Sequence, residues 1–451
     1  MELLEDTCQR ATRYLKGIEQ RKVAPTQDAV SELARLRINL PDNPTNPNEV
    51  IAELDDIVSP ATMAMTGPRF FGFVIGGSLP AALAANWLAG TWDQNSALYD
   101  VTPGTARLEE IALRWLLDIF KLPSNSGGAF VTGDTLANFS ALAAARHAVL
   151  ARAGWNVESD GLIGAPEIQL VVGAEAHPSL FKALGMLGFG RNRVIKVPVD
   201  DQGRMRTDSL PKLSSNTIVC TQAGNVNTGA FDPTKEICLQ AHESGAWVHV
   251  DGAFGLWASA APSLANLADG VEDADSWATD AHKWLNTPYD SGLAFVRDSE
   301  ALRACMAVSA EYLPASQAHR DPSDYTPELS RRARGVEVWA ALRSLGRSGL
   351  ADLIERTCRH ARRFAQGLSD AGYEILNDVV LNQVLVSFGD ADTTRKIISE
   401  LQEDGTCWCG KTVWQGRTAM RISVSSWATK DQDVETSLTA MLRIAASYVK
   451  R

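Results

Sequence analysis

At 451 residues, 45% apolar and 22% charged, the chain has an ordinary globular composition, long enough for one large domain and one or two smaller ones. A net charge of −11 argues against nucleic-acid and anionic-membrane partners, both of which select a basic face. The seven cysteines are scattered without a CxxC pair, and Cys407-Trp408-Cys409 has no companion histidine cluster, so reduced thiols in a cytoplasmic setting are expected and a metal site is not.

Residues 1–66 read as a helical arm. Met1-Glu2-Leu3-Leu4-Glu5-Asp6 opens acidic rather than with a basic and then apolar leader, and Leu3, Leu4, Cys8 and Ala11 recur at helical spacing. Pro41 to Asn48 is a Pro/Asn-rich connector. The most apolar window, Phe70 to Gly90, is broken by Gly76-Gly77-Ser78, Pro80 and Asn86, whereas a membrane span wants about 20 uninterrupted apolar residues. Trp92-Asp93-Gln94-Asn95 and Leu98-Tyr99-Asp100-Val101-Thr102-Pro103 read as a capped loop before an amphipathic helix from Ala106 to Phe120.

Gly128 to Thr132 reads as a strand, and Gly133-Asp134-Thr135 turns it straight into an Ala/Leu-rich helix ending near Arg152. A helix start with free backbone N–H groups makes an anion cup, and Thr135 adds a hydroxyl. The same pattern also serves as a plain N-cap. A carboxylate repels a phosphate, so the Asp134 side chain is expected to turn away while its N–H donates. Ile168 to Ala174 is the next strand, leading through Glu175-Ala176-His177-Pro178-Ser179 to a helix from Leu180; by itself His177 is a helix cap. Thr217 to Thr221 follows as a buried strand, with Asn225 and Asn227 in the turn after it.

The stretch around which the rest is organised runs from Trp247 to Val296. Trp247-Val248-His249-Val250-Asp251, then Ala274 to Thr279 leading into Asp280-Ala281-His282-Lys283-Trp284, and finally Gly292-Leu293-Ala294-Phe295-Val296 read as three short buried strands. Each is expected to deliver a polar group at its C-terminal end, where open α/β sheets collect ligands. A buried acid can keep a pyridine nitrogen protonated, and a lysine can form a Schiff base with an aldehyde. Pyridoxal 5'-phosphate needs both.

Asp251-Gly252-Ala253-Phe254-Gly255-Leu256-Trp257 followed by Asp280-Ala281-His282-Lys283-Trp284-Leu285 resembles the signature of the group II pyridoxal-phosphate-dependent amino acid decarboxylases, the family of the aromatic amino acid, glutamate, histidine and tyrosine decarboxylases. The likeness extends from about Gly67 to Trp339 and more faintly to the C-terminus. It implies an α/β fold of the fold-type I transferase kind: a helical N-terminal arm (1–66), a mostly parallel large cofactor domain (67–345) and a small C-terminal α/β domain (346–451). It also implies a homodimer with a shared active site and an amino acid as substrate. Cofactor contacts then fall on Gly133, Asp134, Thr135, His177, Asn225, Asp251, Ala253, His282 and Lys283, with His177 stacked on the pyridine ring. Gly67 replaces the family's usual histidine in Gly67-Pro68-Arg69-Phe70, Asp134 replaces a small residue, Leu136 replaces an acid, and Asn225 enters the family's Gly-Thr-Thr turn.

Tyr312 to Arg334 is a long polar stretch with Pro314, Pro322, Pro327 and Arg331-Arg332-Ala333-Arg334. By the resemblance it is the mobile catalytic loop, with Tyr325 as the proton donor reaching the neighbouring subunit's site and Tyr312 in reserve; the alternative is an exposed loop aromatic. The small domain is expected to hold a helix from Ala351 to Ala371, strands Gln383–Phe388 and Ala419–Val424, and helices Thr393–Glu403 and Gln432–Val449. Arg421 reads as a surface strand charge, the alternative being a contact to the substrate carboxylate. The expected reaction is decarboxylation of an L-amino acid to its amine, with Lys283, His177, Tyr325 and Asp251 as catalytic residues. The basicity of Lys283 is expected to be lowered by desolvation and positive neighbours. An aldolase, an aminotransferase, an aldehyde-forming oxidative decarboxylase and a non-catalytic binding protein are the alternatives. Phe70, Phe71, Trp92 and Tyr99 hint at an apolar or aromatic substrate.

Overall fold

The structure is a computed structural model that describes residues 1–36, 39–308 and 319–448. The first strand of the chain, β1 (Phe70–Phe71), joins a small sheet. The large sheet is made of β2 (Gly127–Val131), β3 (Gln169–Gly173), β4 (Ile195–Val197), β5 (Thr217–Gln222), β6 (Trp247–Asp251), β7 (Ser276–Asp280) and β8 (Gly292–Val296), in spatial order β2-β8-β7-β6-β5-β3-β4. Apolar runs without polar alternation mark strands covered on both faces. In β5, Ile218 and Cys220 join one core layer while Val219 joins the other. The helix Asp134–Arg152 covers the first layer with Ala137, Ala141, Ala144 and Ala145, side chains small enough to bring it close to the sheet. The second layer is closed by Leu113, Leu116 and Leu117 of helix Pro103–Ile119 and by Val338, Ala341 and Leu342 of helix Gly335–Asp370.

One expectation about the core stretch is corrected here. β8 runs antiparallel to both β2 and β7, so its C-terminal end lies at the opposite edge of the sheet from the ends of β6 and β7. What β8 brings to those ends is its start: a Cβ on Gly292 would lie 2.5 Å from the Gly133 backbone, so the absence of a side chain lets the two turns pack together.

The small sheet adds β9 (Glu374–Ile375), β10 (Gln383–Ser387), β11 (Trp408–Trp414) and β12 (Arg417–Ser423), in the order β1-β11-β12-β10-β9. β11 was not among the expected strands; Cys407-Trp408-Cys409 leads into it, and Cys407 and Cys409 are buried in the apolar layer of the small sheet. The helix Gly335–Asp370 changes course at Gly346, whose φ of 59° a glycine adopts without strain, and carries on from the large sheet to the small one. Phe70 stacks on Trp408 and Phe71 meets Phe364 edge-on, which makes both core residues instead of substrate contacts.

Arg331 is fully buried. Its guanidinium donates to Glu109 Oε2 at 2.7 Å, Ser96 O at 2.8 Å and Phe130 O at 2.8 Å, and Arg320 also reaches Glu109. A buried charge is tolerated when it is paired and hydrogen-bonded in this way. The cluster pins the segment after residue 319 to the start of the sheet. Tyr312 lies outside the described residues. Among the described residues no helix is long and apolar enough to cross a membrane.

Candidate active site

β6 and β7 are parallel neighbours, so their C-terminal carboxylates, Asp251 and Asp280, arrive side by side. Ala253 ties them together: its N–H donates to Asp251 Oδ1 at 3.3 Å and its carbonyl accepts the Asp280 N–H at 3.0 Å. Lys283, one helical turn beyond Asp280, places Nζ 3.1 Å from Asp280 Oδ2. A Cβ on Gly76 would sit 2.1 Å from the Lys283 carbonyl, so only glycine lets the 72–78 segment run against this lysine.

Gly133 and Asp134 bring the third carboxylate from the end of β2. The Asp134 side chain turns inward, as repulsion from an anion requires, and its Oδ2 accepts from Asn138 Nδ2 and from Ser179 Oγ, both at 2.9 Å. Its N–H is already engaged with Asp280 Oδ1 at 2.7 Å, which corrects the expectation of an amide free to donate. Thr135 makes no hydrogen bond within the described residues through either amide or hydroxyl, and it stands at the N-terminus of a 19-residue helix. Asn138 also approaches Asp251 Oδ2 at 3.5 Å, and its carbonyl meets His249 Nε2 at 2.7 Å. Burial holds the His249 imidazole neutral, its basicity down to about 3, and Ser276 Oγ meets the other ring nitrogen at 2.9 Å.

These neighbours set the charges. Burial pushes Asp251 well above the carboxylate range, and Asp134 adds to that push. Burial likewise raises Asp134, reinforced by Asp280. For Lys283, burial works against the ammonium, but Asp280, Asp134 and Asp251 outweigh it and hold the amine above its ordinary range. The expected lowering of Lys283 is therefore corrected: its close neighbours are anions. His282 is neutral, its basicity lowered to about 4 by burial and then by Lys283. Its Nδ1 accepts the Ser291 N–H at 3.1 Å, which leaves the hydrogen on Nε2, on the side of Asp280 at 3.6 Å, while the ring stacks on Tyr289.

His177 caps the helix Pro178–Met186 by accepting the Ser179 N–H through Nδ1. Burial and then the charge of Lys283 lower its basicity, with Arg421 acting in the same direction. Arg421 is thus no surface charge. Burial lowers its basicity, and its guanidinium donates to Val226 O at 3.1 Å without a carboxylate partner. Asn225 is corrected in the other sense. Its carbonyl accepts the Asn227 and Thr228 N–H groups, and its amide donates to Glu175 Oε2, so the side chain closes the turn. Tyr325 ends the short turn Pro322–Tyr325 beneath the Arg320 guanidinium, with no hydrogen bond to Lys283, His177 or Asp251 of its own chain.

A match to the pyridoxal-dependent decarboxylase conserved domain covers residues 31–389. The chain belongs to the pyridoxal-dependent decarboxylase family. It is 27% identical to tryptophan decarboxylase 1 of Oryza sativa subsp. japonica, over 94% of this chain and 89% of that protein. It is 24% identical to the aromatic-L-amino-acid decarboxylase of Bacillus atrophaeus, over 96% of this chain and 92% of that one. A crystal structure of Oryza sativa TDC with PLP and tryptamine superposes with a TM-score of 0.91 at 24% identity, covering 100% of this chain and 98% of the other, a likeness of fold. The cofactor is pyridoxal phosphate, and the reaction is that of an amino acid carboxy-lyase.

The residues of this decarboxylase fit that cofactor. Lys283 could offer an amine to the aldehyde, Asp251 an acid to the ring nitrogen, and the Thr135 amide and hydroxyl, unpartnered among the described residues, could with His282 Nε2–H offer donors to a phosphate. Asp280, Asn138, Ser179 and His249 were missing from the residues singled out in the sequence. Two of them carry a local signal: Asp280 lies three residues before Lys283, and Asn138 one turn after Asp134.

Proposed function

We propose that this carboxy-lyase converts an L-amino acid to its amine and CO2 with Lys283 as the residue that holds the cofactor. The observation that carries the reading is Lys283 Nζ set beside the buried Asp280, with Asp134 and Asp251 close enough to raise its basicity. When bound, pyridoxal phosphate supplies an aldehyde for amines and a ring that accepts the electron pair released with CO2. Asp251 would hold a proton on the ring nitrogen, and Lys283 would hold the cofactor through its amine. Arg421, a half-buried cation without an acidic partner among the described residues, holds the substrate carboxylate. His177 covers one side of the site and presents Nε2 to it. Mass spectrometry of the purified protein incubated with pooled L-amino acids is expected to show one amine and loss of CO2. Cofactor without amine would redirect the assignment to an aldolase or aminotransferase.

We further infer a homodimer with a shared site, in a cytoplasmic setting that keeps the free cysteines reduced. Phe73, Trp87, Leu88, Trp92 and Val101 leave apolar surface exposed, the kind of surface a partner subunit covers. Tyr325 then serves the neighbouring subunit, returning a proton after CO2 departs. Tyr325→Phe is expected to divert product from amine towards aldehyde in the same mass-spectrometric assay. An unchanged product ratio would assign that proton to another group.

A further inference from the structure

The carboxylate at Asp134, where the family's signature has a small residue, is joined to the histidine over the site. Ser179 Oγ stands 2.9 Å from Asp134 Oδ2 and 2.7 Å from His177 Nδ1. Asn138, itself oriented by His249, fixes Asp134 Oδ2 from the other side. Asp134 Oδ1 is buried with no hydrogen-bond partner, an arrangement costly for an ionised carboxylate and far less so for a carboxylic acid. Burial and a neighbouring carboxylate raise both Asp134 and Asp251, with Lys283 opposing them, which favours a proton held within the cluster. We propose that Asp134 and Ser179 form a proton relay that sets the protonation of His177. The proposal rests on the reading of His177 as a residue of the decarboxylase site.

The hydrogen count closes. The Ser179 N–H donates to Nδ1, so in the neutral ring the hydrogen sits on Nε2, which has no hydrogen bond within the described residues and lies on the far side of the ring from Ser179. With Asp134 protonated, its O–H donates to Ser179 Oγ, and the Ser179 hydroxyl donates to Nδ1. When the Asp134 proton moves to Oγ, the hydroxyl proton moves to Nδ1. One O–H bond is lost at Asp134, one N–H bond forms at His177, and Ser179 ends with its hydroxyl intact. The products are a carboxylate and an imidazolium, with the total charge unchanged. Lys283 and Arg421 oppose the imidazolium, and Asp134 alone among the charged groups around His177 favours it. A substrate carboxylate entering the site draws the proton across to His177, and its loss as CO2 lets the proton return. Asp134 and Ser179 are positioning residues in this scheme: they act through His177.

The test is ¹⁵N-histidine NMR of the full chain with pyridoxal phosphate bound, the His177 signal being assigned by its loss in His177→Gln. In the wild type, Nε2 is expected to carry the hydrogen and Nδ1 to show a hydrogen-bonded acceptor. Asp134→Asn keeps the shape but cannot give a proton, and it is expected to lower the pH of imidazolium formation by about one unit. Ser179→Ala removes the hydroxyl link but keeps the backbone N–H on Nδ1, so it is expected to weaken the Nδ1 hydrogen-bond signature and to lower the imidazolium midpoint as Asp134→Asn does, with the fold unchanged by circular dichroism. If both variants show wild-type shifts and the wild-type midpoint, the relay does not exist. Should Asp134→Asn fail to fold, Ser179→Ala alone decides. Because the spectra are read without amino acid, they stand apart from the amine-formation assay that tests the decarboxylase reading.

Discussion

Lys283→Ala is expected to yield a folded, colourless protein whose turnover falls by at least about four orders of magnitude, since the lysine amine at the strand ends is gone and alanine offers no covalent attachment. Lys283 is the close cation of the Asp280, Asp134 and Asp251 cluster, and its positive charge lowers the basicity of all three. Without it these carboxyls are expected to bind an additional proton rather than to expel one another, so the sheet survives. The side chain is confined to the site and contributes nothing to the apolar layers. Absorbance spectroscopy and amine quantification check the result together. A variant that kept its amine-forming rate would remove Lys283 from the assigned role.

Asp251→Ala is expected to lower kcat by about two to four orders of magnitude while the protein still takes up cofactor. Asp251 is only 4% exposed, and burial alone would keep it protonated. A cationic ring nitrogen in contact reverses that balance, because an opposite charge favours the carboxylate. The alanine variant cannot hold the ring proton, so the electron pair released with CO2 has a poorer acceptor. The amine of Lys283 and the donors at Thr135 remain, so binding suffers less than chemistry. Steady-state kinetics separates the two: a large fall in kcat with intact cofactor absorbance is expected, and wild-type kinetics would exclude Asp251 as the ring's partner.

Order along the chain, with the family resemblance, was enough to single out Asp251, His177, Lys283 and the turn at Gly133 as candidates, because each lies at or just after the end of a short buried strand whose apolar run is visible without coordinates. The strand directions were less legible. β8 has the same apolar character as the parallel strands of the sheet, and direction depends on the path of the chain between strands rather than on the strand itself. β11 was missed because its burial does not alternate: Cys409 shares a face with the exposed Lys411 and Val413, and Trp414 is buried on the other face.

The set of chemical groups and the sheet that carries them were legible without coordinates, because residue types and hydrophobic period are local properties. Tertiary structure alone decided which groups meet. It drew Arg421 from the surface into a half-buried position, closed Asn225 into its own turn, and surrounded Lys283 with carboxylates drawn from three strand ends. It also joined Asp134 to His177 through Ser179, which lies 45 positions from Asp134 along the chain. Distances of that kind, and the protonation they impose in a low-dielectric interior, depend on every intervening crossover and are written in no single segment.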